Sequence, residues 1–138
     1  MKQLFLSLLV ALFAFTGQAL ARDAVPLVNL ENQAISTGSG KTLTLDDVRR
    51  ALRQAAAVRG WSIEDLAPGK ALATLMVRGK HTVRVDVSYT EKSVSFTYRD
   101  SVNMKYSKNE EGRPVIHPFY MKWVDNLMTD LRVELARL

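Results

Sequence analysis

The chain has 138 residues, 19 Lys and Arg against 14 Asp and Glu, and no cysteine. The missing thiols exclude disulfides, thiolate metal sites, cysteine nucleophiles and lipid carried on a terminal cysteine. The formal net charge of +5 is mild and dispersed along the sequence, which is the pattern of a solvated surface at least as much as of a polyanion binder.

Residues 1–21, MKQLFLSLLVALFAFTGQALA, begin with the cation Lys2, continue through an apolar run from Leu4 to Phe15 and close on Ala19-Leu20-Ala21. This is the pattern of a secretory signal peptide cut before Arg22. The apolar run is shorter than the roughly 20 residues a spanning helix needs. Cleavage leaves residues 22–138, enough for one core, with 18 basic against 14 acidic residues. The expected location is periplasmic or secreted, with no transmembrane segment after cleavage. Nucleic acid is then a poor partner, and the anions within reach are phospholipid headgroups, lipopolysaccharide and wall polymers.

Residues 22–43 read as an extended arm and linker. Apolar residues are frequent from Arg22 to Thr37 but without regular period, and Pro26 suits an edge strand at most. Gly38-Ser39-Gly40-Lys41 reads as a flexible connection. It imitates the end of a phosphate-binding loop, but Ile35 stands where that motif needs glycine.

A single α+β domain is expected over residues 44–138. Thr44 can cap a helix whose Leu45, Val48, Leu52 and Ala55 fall at helical spacing, with Asp46 and Asp47 near its positive end. Gly60 is the expected left-handed stop, and Trp61 can fold back over the last turn. Residues 62–69, SIEDLAPG, read as a connector ending in a turn. Three runs then alternate with period two: Lys70 to Arg78, His81 to Tyr89 and Ser93 to Arg99. Val83, Val85, Val87 and Tyr89 point to one side, and Thr82, Arg84, Asp86 and Ser88 to the other. Gly79-Lys80 fits the first hairpin turn and Thr90 to Ser93 the second.

Asp100-Ser101-Val102-Asn103 reads as a turn followed by a polar loop, with room for a short strand at Met104 to Tyr106. From Pro118 onward, Tyr120, Val124, Leu127, Leu131, Leu135 and Leu138 trace one helical stripe with Trp123 and Met128 beside it. Proline suits the first helical turn, His117 can accept a bond from a first-turn amide, and Trp123 can pack with Trp61. The expected fold is a two-layer sandwich of order α-β-β-β-α, an antiparallel three-stranded meander with two helices on one face.

Three chemistries compete for these residues. His81 and His117 lack a second ligand at helical or hairpin spacing, so no metal or other cofactor is expected. Ser101, Asp100 and His117 are the residue types of a small envelope hydrolase, although turn chemistry accounts for the first two. Arg84 and Arg99, among Thr82, Ser88, Ser95 and Thr97, could form a hydroxyl and guanidinium surface for an anionic headgroup or a partner loop. The leading expectation is a non-enzymatic periplasmic binding or interaction module. It would meet an envelope protein or anionic envelope component through that face, or through a groove near Asp100, Asn103, Tyr106 and His117. The alternatives are the hydrolase and a structural accessory subunit of an envelope complex.

Four stretches carry a resemblance: VRRALRQAAAVRGW, PGKALATLMVRGKHTVRVDVSY, SFTYRDSVNMKY and IHPFYMKWVDNL, which together span most of Val48 to Leu127. In their order and spacing the chain resembles a family of small uncharacterised exported proteins and lipoproteins of Gram-negative bacteria. The resemblance implies export and supplies no catalytic residue. Many relatives carry a lipobox cysteine after the signal; Ala21-Arg22 stand here, so lipid anchoring is not implied.

Overall fold

The computed structural model describes residues 23–138; the expected signal peptide and its cut before Arg22 lie outside the described residues. In chain order, β1 (Val25–Pro26) and β2 (Leu30–Ala34) precede α1 (Leu45–Arg59). Then come β3 (Ser62–Ala67), β4 (Lys70–Val77), β5 (His81–Tyr89), β6 (Ser93–Val102), β7 (Ser107–Lys108), β8 (Pro114–Ile116) and α2 (Pro118–Ala136). The main sheet runs β2-β6-β5-β4-β3 and a small one runs β1-β8-β7; every pairing is antiparallel. The α+β sandwich is therefore present, and the meander β4-β5-β6 forms the middle of its larger sheet.

The meander's inward residues make the core against the helices. Val83, Val85, Val87, Tyr89, Val94 and Phe96 are buried, together with Ala71, Ala73 and Leu75 of β4. Removing each larger aliphatic side chain from water contributes about 1.5–3 kcal/mol, and strand alternation gathers them on one face.

The Thr44 hydroxyl accepts the Asp47 N–H at 3.1 Å, and the Asp47 carboxylate accepts the Thr44 N–H at 3.0 Å. This reciprocal box occupies two donors that the first turn of α1 leaves without helical partners. Gly60 ends the helix at φ 85°, as its lack of a Cβ allows. At α2, His117 Nδ1 accepts the Phe119 N–H at 3.0 Å and Pro118 occupies the first turn, as expected. Tyr120, Val124, Leu127, Leu131 and Leu135 are buried along one stripe, whereas Leu138 lies beyond the helix and is exposed. The helices run antiparallel. Arg59 near the end of α1 reaches Asp130 at 2.8 Å, while Asp47 near its start lines a depression with Glu134 and Leu138.

Five local expectations are corrected. Residues 62–67 are an edge strand on β4, not a connector; only Ile63 among them is half-buried, so no period-two signal marks the strand. The turn Pro68-Gly69 is as read, with Gly69 at φ 75°. In the next hairpin the left-handed pair is Arg78-Gly79, at φ 55° and 64°, one position earlier than Gly79-Lys80. Strand β6 continues through Asp100, Ser101 and Val102, so these residues do not form a turn; a bulge at Arg99 absorbs the change of register. The reversal falls instead on Asn103 and Lys105, with φ of 58° and 54°, and the short strand after it begins at Ser107 rather than Met104.

The fifth correction concerns Gly38-Ser39-Gly40-Lys41, which is docked rather than loose. Ser39 Oγ donates to the Leu138 carbonyl at 2.9 Å, and a Cβ on Gly38 would stand 2.5 Å from the Ala136 carbonyl oxygen. The arm before it contributes β2 to the main sheet, with Leu30 opposite Phe96, and β1 to the small one.

Candidate functional site

The bulge at Arg99 decides what the outer sheet face offers. Arg99 and Asp100 both turn outward, Arg99 pairing with Asp86 at 3.2 Å and Asp100 receiving the Arg84 guanidinium, whose Nε lies 2.6 Å from Asp100 Oδ1. The hydrogen bonds that Arg84 donates to Asp100, and the carboxylate's charge, hold the Arg84 guanidinium still more firmly protonated. The face expected to present guanidinium groups thus carries two cross-strand ion pairs, and both of its arginines are already matched.

Ser101 points the opposite way, inward beside Val83, where its Oγ lies 2.8 Å from the Tyr98 hydroxyl. Asp100 and Ser101 are on opposite faces of one strand, and His117 Nδ1 is engaged with the Phe119 amide. The fold does not bring the three together as nucleophile, acid and base. Among the described residues no three His, Asp or Glu side chains converge as a metal site.

Asn103, Tyr106 and His117 do share a neighbourhood. The Asn103 carbonyl lies 2.7 Å from His81 Nδ1 and its side-chain amide donates to the Lys80 carbonyl at 3.4 Å, fastening the bend to the β4-β5 hairpin. Tyr106 stacks on Tyr98 with centroids 4.6 Å apart, and Tyr98 meets Tyr120 edge-on at 5.5 Å. Burial raises the phenol of Tyr98, and that of Tyr120 further, so both stay neutral. These residues serve as a clamp that holds the hairpin tip against the start of α2.

Beside that clamp lies a groove that sequence reasoning did not identify. Two adjoining depressions, of about 400 and 310 Å³, share Val77, Arg78, Trp123 and Asn126. Arg59, Trp61, Leu75 and Met76 complete the first, and His81, Phe119 and Lys122 the second. On α2, residues 119, 122, 123 and 126 follow helical spacing, so they form a face distinct from the buried stripe. Trp61 enters because Gly60 turns the chain back at the end of α1. Arg78 enters because the hairpin holds it at a positive φ that a side-chain-bearing residue adopts only at some cost.

Three features distinguish the groove. Arg78 and Lys122 make no ion pair among the described residues, whereas Arg59 is held by Asp130. Phe119 and Trp123 lie together, centroids 5.9 Å apart, as an aromatic wall. Trp61 is only 5 % exposed, yet its indole N–H has no hydrogen-bond partner. A buried donor left unpaired is costly, and native structures contain few of them. The sealed Trp61 N–H is not presented to the groove; the two cations and the aromatic wall suit a ligand with an anionic end and an apolar or ring-shaped body.

A depression of about 410 Å³ at the opposite end of the β4-β5 ladder is as large, lined by Leu45, Leu66, Pro68 and Tyr89. Its cation Arg49 is already bound by Asp46 at 2.8 Å and Asp65 at 3.5 Å, unlike Arg78 and Lys122 of the groove.

Comparison with protein-family models, with curated proteins and with solved structures gives no match. No described helix is long and apolar enough to cross a membrane.

Proposed function

We propose that this protein is exported and acts in the periplasm as a non-enzymatic binding module, taking an anionic, partly apolar component of the cell envelope into the groove between the β4-β5 hairpin and α2. The observation that carries the reading is the coincidence of Arg78 and Lys122, neither in an ion pair among the described residues, with the aromatic wall of Phe119 and Trp123. The signal-like first 21 residues and the resemblance to exported proteins of Gram-negative bacteria support the compartment. The matched ion pairs of Arg84 and Arg99 argue for the groove over the sheet face.

The chain's two tryptophans both line this groove, so intrinsic emission reports its occupancy directly. The test is a titration with a short-chain phosphatidylglycerol kept below its micelle-forming concentration. A saturable change in emission is expected, weakened at least about tenfold in Arg78→Gln/Lys122→Gln, since each charge-assisted bond is worth about 1.5–3 kcal/mol. An unchanged spectrum, or equal affinity in the double variant, would remove the groove as the site.

A further inference from the structure

The groove opens on an end of the molecule whose composition differs from the rest. Met76, Thr82 and Val102 form one row across the outer face of the main sheet, Met76 opposite Thr82 and Thr82 opposite Val102. Met76 is 64 % exposed and Val102 61 %, and Tyr106 in the adjoining bend is 42 % exposed. Beyond the row come the hairpin tip with Arg78 and Lys80, the bend with Lys105 and the first turns of α2 with Lys122. Asn103 ties tip to bend, and the Met104 carbonyl accepts the His117 N–H at 2.8 Å, tying bend to helix. Residues 76–82, 101–106 and 117–124 contain these four cations and no Asp or Glu, with Asp100 and Asp125 at their borders.

We infer that this end is a docking surface for an anionic phospholipid bilayer. Side chains such as Met76 and Val102 can each enter the headgroup boundary, while lysines on long stems reach the phosphates and keep their hydration. An anionic leaflet attracts clustered Lys and Arg in proportion to their number, and neither the hydrophobic nor the electrostatic element alone anchors firmly. A protein partner of matching charge would call for a broad surface; here the apolar side chains stand around a tip. The groove would then face the leaflet, but docking itself needs only the rim and goes beyond the groove's choice of ligand.

Co-sedimentation of the mature protein with vesicles tests the inference. Retention is expected on mixed phosphatidylglycerol and phosphatidylcholine vesicles, little on phosphatidylcholine alone, and release is expected as salt rises. Lys80→Gln/Lys105→Gln should weaken retention about tenfold or more, and Val102→Ser severalfold, with far-ultraviolet circular dichroism unchanged. Both variants should keep the tryptophan response to the short-chain lipid, because none of the three residues lines the groove. The inference is overturned if the parent protein stays in the supernatant, if these variants bind like the parent, or if polyglutamate beads retain the protein as strongly as the vesicles. Retention lost in Arg78→Gln/Lys122→Gln but kept in Lys80→Gln/Lys105→Gln would leave the groove reading standing and remove the rim.

Discussion

The main-chain N–H of His117 donates to the carbonyl of Met104 at 2.8 Å, joining the first residue of the α2 cap to the bend that follows β6. Met104 is itself buried between two left-handed residues, Asn103 and Lys105. This hydrogen bond ties the start of α2 to the bend, and Asn103 ties the bend to the hairpin tip, so the two sides of the groove are joined at one end.

The cap beside that bond is open to direct measurement. His117→Ala removes the acceptor for the Phe119 amide and is expected to cost about 1 kcal/mol in chemical denaturation, within the range of N-cap losses. His117→Asn, which restores a side-chain oxygen, is expected to recover most of it. An equal loss in both variants would show that the imidazole acts through packing against Phe119 instead.

Trp123 and Leu131 separate site from core on the same helix. Leu131 is fully buried, and Leu131→Ala is expected to cost about 2–5 kcal/mol through lost burial and a residual cavity. Trp123 is half-buried at the groove, so Trp123→Ala should cost less, about 1–3 kcal/mol, while abolishing the response to lipid. Thermal melts of the two variants side by side decide the ordering.

The capping box of α1 makes stability depend on acid. The main-chain N–H of Thr44, then its hydroxyl, hold the Asp47 carboxyl below the usual carboxylate range, with Lys41 and Arg50 adding to the effect. A lowered folded value means that the contribution is complete above the unfolded pKa near 3.8 and is lost as pH falls below it. Asp47→Asn should therefore flatten the decline of stability below about pH 4, measured by denaturation at a series of pH values. Thr44→Ala is expected to cost about 1 kcal/mol at neutral pH.

Arg84→Ala and Arg99→Ala test the outer face. Both ion pairs are substantially exposed, so each substitution should change stability little, and less at high salt. Neither should change the groove's affinity for the short-chain lipid. Loss of that affinity in either variant would return the binding site to the sheet face.

Much of the architecture was legible from the chain alone. Thr44 and Gly60 bound α1 through backbone donors and a left-handed φ, which depend only on neighbouring residues. The valines of β5 alternate because one face of a strand meets a core, and Pro118 and His117 mark the start of α2 by local chemistry. Strand β3 was not legible, since an edge strand with one half-buried residue is held by hydrogen bonds to β4 that leave no pattern in its side chains. The glycine-serine stretch reads the same whether free or docked; only the Ala136 carbonyl beside Gly38 distinguishes the two.

The candidate site divides along the same line. Sequence determined the ingredients: two tryptophans, a scatter of cations, polar strand residues, and histidine and proline before the last helix. Tertiary structure decided their use. A single bulge at Arg99 set Asp100 against Arg84 and turned Ser101 away, spending the cations that had looked free. The antiparallel helix pair and the β4-β5 hairpin gathered Trp61 from the end of α1, Arg78 from the hairpin, and Lys122 and Trp123 from α2 into one groove. Local signals depend on a few adjacent residues and survive in the sequence, whereas register and helix packing are settled by burial across the whole chain, and they alone determine which charges meet a partner and which are left for a ligand.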